Sequence, residues 1–119
     1  MSNNELDQDF LDNQRRRLFD LKDELERLRD DLEEDLTEHD AGDLSQSVFD
    51  REMDATVEGQ IDRRLRDVER ALQKIEEGTY GVCDDTGEEI PKGRLEAVPE
   101  AIRTVEAQER FERERRPPV

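Results

Sequence analysis

Between residues 3 and 41 the chain has neither proline nor glycine, and its leucines return at steps of three or four: Leu18, Leu21, Leu25, Leu28, Leu32 and Leu36. That spacing is the period of a coiled-coil seam. Charged residues such as Asp23, Glu24, Glu26 and Arg27 fill the gaps, as a solvated helix face requires. The pattern breaks at His39-Asp40-Ala41-Gly42-Asp43, where Gly42 can take the left-handed conformation that ends a helix. It resumes with Leu44, Val48, Met53, Val57, Ile61, Leu65, Val68, Leu72 and Ile75. Asp43, with Gln46 three residues on, has the form of a capping box. Two seams of similar length joined by a short turn fold back on one another. The expectation is a mainly α chain built on a long antiparallel two-helix coiled-coil hairpin over residues 1–77. Its helices should span about 3–38 and 44–77, with the tip at 39–43. Gly59 falls inside the second helix, at a cost of roughly 1 kcal/mol relative to Ala.

Such a rod buries one narrow seam, so it needs few apolar residues. Here 31% of the 119 residues are hydrophobic and 45% charged, too lean for a compact sphere of this length. The net charge of −16 argues against nucleic acid or an anionic membrane as a direct partner. It suits a basic protein surface instead. The acidity is uneven. Between residues 30 and 58 stand twelve acids, with Arg51 as the one Lys or Arg among them. The acidic start, Met1 to Asp9, has no signal-peptide character and no later run approaches a membrane span, so a cytoplasmic location is expected. One cysteine, Cys83, permits no internal disulfide.

Beyond Ile75 the run Glu77-Gly78-Thr79-Tyr80-Gly81 ends the second helix. Asp85-Thr86-Gly87 reads as a tight turn, and residues 80–83 with 88–90 fit a small two-stranded knuckle. Pro99 suits the first position of a last helix, from Glu100 to about Arg115. Tyr80, Val82, Ile90, Leu95, Val98, Ile102 and Val105 are the candidate core of residues 78–119. No catalytic set is visible. His39 and Cys83 stand at opposite ends of the second helix, ~48 Å apart at about 1.5 Å per residue. No glycine-rich phosphate loop exists, nor an acid pair in an apolar setting. The chain is expected not to be an enzyme, and to need no cofactor.

The stretch Gly78-Thr79-Tyr80-Gly81-Val82-Cys83-Asp84-Asp85-Thr86-Gly87-Glu88-Glu89-Ile90, continuing to Arg94-Leu95-Glu96-Ala97-Val98-Pro99, resembles the zinc-finger signature of the DksA/TraR family of RNA polymerase regulators. The tip Asp40-Ala41-Gly42-Asp43 and the run Phe49-Asp50-Arg51-Glu52 resemble that family as well. The resemblance implies a hairpin that enters the polymerase secondary channel, with Asp40 and Asp43 near the catalytic Mg²⁺ region. It implies a monomer whose partner is RNA polymerase. One departure is plain: of the four zinc positions, Cys83, Thr86, Thr104 and Ala107, one keeps a cysteine. A structural zinc site needs four N or S ligands, so residues 78–119 are expected to form a degenerate, metal-free finger plus the last helix. Asp84 and Asp85 should raise the Cys83 pKa. Asp43 also fits a plain helix cap. The rival readings are an acidic DNA mimic that occupies a basic groove, and a coiled-coil adaptor.

Overall fold

The computed structural model describes residues 6–39 and 56–115. Four helices occur among them: α1 (Gln8–His39), α2 (Val57–Glu77), α3 (Lys92–Ala97) and α4 (Val105–Arg115). α1 and α2 pack side by side as the two arms of the hairpin, and the molecule extends over 54 × 34 × 21 Å.

The seam follows the leucine period. Leu18 and Leu25, seven residues apart on α1, are buried against Ile61, Leu65 and Val68 of α2. Each such side chain contributes about 1.5–3 kcal/mol by leaving water. Leu21 and Leu32 pack against the seam partly buried, whereas Leu28 stays 46% exposed. Residue 71, a small Ala outside the predicted set, is fully buried where the second arm meets the knuckle.

The first arm starts later than the periodicity indicates. α1 opens at Gln8 because the Asp7 carboxylate accepts the Phe10 N–H at 2.8 Å, an N-cap. Of the segment predicted as helix from 44 to 77, the described part forms α2 from Val57. Thr56 is extended there (φ −91°, ψ 166°), and its hydroxyl accepts the Gly59 N–H at 3.0 Å. Gly59 therefore lies in the first turn, where its backbone N–H is capped, and not in the helix interior. Val57, placed in the seam by its spacing, is 62% exposed at that helix start. The predicted tip, with Asp40 and Asp43, and the positions Leu44, Val48 and Met53 lie outside the described residues.

α2 ends as expected. Gly78 adopts φ +82°, and the Thr79 N–H returns to the Lys74 carbonyl at 2.8 Å, closing the helix in a left-handed cap. Gly81 adopts φ +92°, the left-handed region that favours glycine, and a Cβ there would meet Leu6 Cδ1 at 2.7 Å, so the Leu6 side chain would have to shift. The chain then turns through the knuckle, forms the short α3, and crosses to α4. One core runs from the seam into this region through Tyr80, Cys83, Ile90, Leu95, Ala101, Ile102 and Ala107.

Candidate functional site

The predicted pair of knuckle strands reduces to a single antiparallel bridge, Val82 to Glu89. Around it the Cys83 N–H donates to the Glu88 carbonyl at 2.8 Å and the Ile90 N–H to the Gly81 carbonyl at 2.7 Å. The Gly87 N–H closes the turn on the Cys83 carbonyl at 2.9 Å. The last helix does not begin at Pro99. Residues 99–104 are held in an irregular turn, where the Ala101 N–H bonds Val98 and the Ile102 carbonyl accepts the Asp84 N–H at 2.9 Å. Thr104 then caps α4, its Oγ1 accepting the Ala107 N–H at 3.2 Å. Val105, expected in the core, is consequently 44% exposed at the start of α4.

Three of the four positions that hold zinc in the resembled finger come together in the core: Cys83, Thr104 and Ala107 are all buried, while Thr86 stands on the exposed turn. Their chemistry does not fit zinc. They offer one thiol, two hydroxyls and a methyl, and the hydroxyls are occupied. Thr104 caps α4, and Thr86 Oγ1 accepts the Glu88 N–H at 3.2 Å. No group of three or more His, Cys, Asp or Glu suited to a metal ion occurs among the described residues. Burial pushes the Cys83 thiol up, but hydrogen bonds from the Thr86 hydroxyl and from the backbone N–H groups of Thr104, Thr86 and Asp85 outweigh it. The net shift is downward. This corrects the expectation that Asp84 and Asp85 would raise it: the hydrogen bonds around the sulfur set the direction.

Asp84 is the more telling of the two. Arg70 grips it bidentately, with Nε to Oδ2 at 2.9 Å and Nη2 to Oδ1 at 3.0 Å. Lys74 Nζ meets Oδ1 at 2.6 Å. Lys74 is 2% exposed, and its stem fills space where α2 meets the knuckle. Burial would raise the Asp84 pKa, but hydrogen bonds from Arg70 and Lys74, with their charges, carry it below the ordinary carboxylate value. Asp85 pairs with Arg103 at 2.9 Å, and Arg103 lies over the Phe111 ring of α4 at 3.8 Å. A charged clasp thus joins α2, the knuckle and α4. The signal for it was present in the sequence: Arg70 and Lys74, four apart, share one face of a helix.

Toward the tip the field changes sign. Glu58 is buried, and its pKa is raised by that burial and then by Glu33 and Asp62, with Arg29 opposing. Arg29 reaches Asp62 at 3.4 Å. The crowding of acids visible in the sequence is therefore felt by a carboxylate on the described part of the hairpin.

Residues 78–113 match the family model described as the prokaryotic dksA/traR C4-type zinc finger. The chain is 63% identical over 62 residues to General stress protein 16O of Bacillus subtilis, a match covering 51% of this chain and 37% of that protein. It is 40% identical over 77 residues to the RNA polymerase-binding transcription factor DksA of Caulobacter vibrioides, covering 65% of this chain and 54% of that one. The chain thus spans about half or less of the length of these curated relatives. Among solved structures, it is similar to the RNA polymerase binding protein and transcriptional regulator Dks from Chlamydia trachomatis. That likeness has a TM-score of 0.63 at 33% identity and covers 91% of this chain and 93% of the other. With the hairpin, the knuckle and the last helix all accounted for in one relative, the chain belongs to the DksA/TraR family.

Proposed function

We propose that this chain is a non-enzymatic transcription regulator that binds RNA polymerase as a monomer. In this reading the hairpin enters the secondary channel, Asp40 and Asp43 come near the active centre, and the knuckle and α4 brace the outside. The observation that carries it is the near full-length likeness to a polymerase-binding regulator at 33% identity. Two features agree with it. Acid is concentrated toward the hairpin tip, where a Mg²⁺-bearing centre would attract it. The knuckle, by contrast, balances its acids with Arg70, Lys74 and Arg103.

The direct test is capture of purified core RNA polymerase by the purified protein, with competition from a second secondary-channel ligand. Stoichiometric capture that the competitor abolishes is expected. Capture that the competitor leaves intact, but that duplex DNA displaces, would favour the DNA-mimic reading instead.

A further inference from the structure

α1 meets the knuckle through one buried amide. Gln14 has no exposed surface, although the other buried side chains of its helix, Leu18 and Leu25, are apolar. Its Nε2 donates to the Tyr80 hydroxyl at 2.9 Å and to the Leu95 carbonyl at 2.8 Å. Its Oε1 accepts from Arg17 Nη1 at 2.8 Å. Tyr80 passes the chain onward, donating to the Pro99 carbonyl at 2.8 Å. Arg17 Nη2 donates to the Glu96 carbonyl at 2.9 Å.

The direction of every bond follows from the groups. A carbonyl only accepts and a guanidinium only donates, so the Gln14 amide has one orientation that satisfies it. Tyr80 must then accept from Gln14 and donate to Pro99. Leu95 and Glu96 lie in the last turn of α3, whose terminal carbonyls have no partner within that helix. Gln14 and Arg17, three apart on one face of α1, supply those partners. An apolar residue at position 14 would pack as well, but apolar surfaces tolerate sliding where angled hydrogen bonds do not.

We infer that Gln14, Arg17 and Tyr80 form a positioning lock that fixes the attitude of the knuckle to the hairpin, so that the two move as one body. The inference concerns the free protein and holds whichever partner the hairpin serves. Residual dipolar couplings of backbone amides in α1 and in residues 78–104 test it. In the wild type a single alignment tensor should fit both sets. Tyr80→Phe, which keeps the ring and removes the hydroxyl, and Gln14→Met should each lose the common tensor while helicity persists. A variant that loses thermal stability yet keeps one tensor would make the network a stabilising contact only, and overturn the lock. The wild type offers a reading that needs no variant, because Tyr80 is the single tyrosine. Burial pushes it up to about 12, with the Gln14 hydrogen bond and Arg17 opposing and Glu100 adding. Phenolate absorbance should stay absent near pH 10, and ionisation of the folded protein there would contradict the burial of the Tyr80 hydroxyl on which the lock depends.

Discussion

The hairpin and the knuckle are stabilised by different kinds of contact. Along the hairpin, Leu18, Leu25, Ile61, Leu65 and Val68 bury a narrow apolar strip with little polar help. The knuckle has no such repeated strip: Tyr80, Cys83, Ile90, Leu95, Ala101, Ile102 and Ala107 close over one small centre, and the donors at its four zinc positions do not fit a metal. It is held by Leu95 and Ile90 at its centre, by the clasp of Asp84 with Arg70 and Lys74, and by helix-end carbonyls capped from α1. A repeated strip tolerates the loss of one member better than a small centre with few parts. That contrast ranks the substitutions below.

The largest loss should come from the knuckle centre. Leu95 is fully buried, so Leu95→Ala should lower stability by about 2–4 kcal/mol. Leu28→Ala, on the exposed edge of the seam, should change it by less than about 0.5 kcal/mol. Chemical denaturation of the two variants measures the difference, and similar values would erase the contrast.

The clasp should come next, and asymmetrically. Asp84→Ala strands the buried Lys74 ammonium and should cost on the order of 2 kcal/mol, reduced from the fully buried case because Asp84 remains partly exposed. Lys74→Met should be nearly neutral, since it removes a charge that needs a partner and keeps the stem. The folded Asp84 pKa is depressed, so its stabilisation is present above its unfolded value of about 4. It should fade as pH falls through the lower folded value. Equal losses in both variants would mean that the pair is net stabilising and that Lys74 is more than a charge in need of a partner.

A smaller effect of opposite sign is expected in the cleft between α2 and α4. Burial raises Asp67 to about 6, with Arg103 opposing and Glu100 adding. Its contribution is most favourable below about pH 4 and is lost as pH rises through about 6. Asp67→Asn should therefore stabilise the protein at pH 8 by about 1 kcal/mol and have no effect at pH 4. Thermal melts at the two pH values decide it, and a destabilised variant at pH 8 would show that the carboxylate is better paired than its burial implies.

The smallest effect should follow metal removal. With one thiol in the set, the purified protein should carry no stoichiometric zinc, and chelator should leave its melting temperature unchanged. Elemental analysis giving about one zinc per chain would reverse the contrast between hairpin and knuckle.

The seam was legible because burial there repeats. Leu18, Leu25, Ile61, Leu65 and Val68 recur at helical spacing, and the structure buries them. Helix boundaries were less so, for local reasons. Thr56 caps α2 through its own hydroxyl, in a stretch where the periodicity gives no boundary. Pro99 has the right form to open α4, but its carbonyl is committed to Tyr80, and Thr104 does the capping. Lys74 shares a helix face with Arg70, but nothing in the sequence marks either Lys74 or Gln14 as buried; tertiary contact alone buries them. The donors at the zinc positions do not fit a metal, as their residue types indicate. The downward pKa direction at Cys83 is not legible in the sequence, because the fold creates the hydrogen bonds from Thr86, Asp85 and Thr104 that set it.

The central proposal rests on the tip carboxylates, and one double variant tests it. Asp40→Asn with Asp43→Asn preserves shape and helix-capping ability, so the hairpin should fold as before. Polymerase binding and the effect on transcription should be measured together, for wild type and variant, at two salt concentrations. The predicted result is that binding largely persists while the effect on transcription disappears. Unchanged activity in the variant, with a complex that raised salt dissociates steeply, would contradict the tip mechanism and support distributed acidic mimicry.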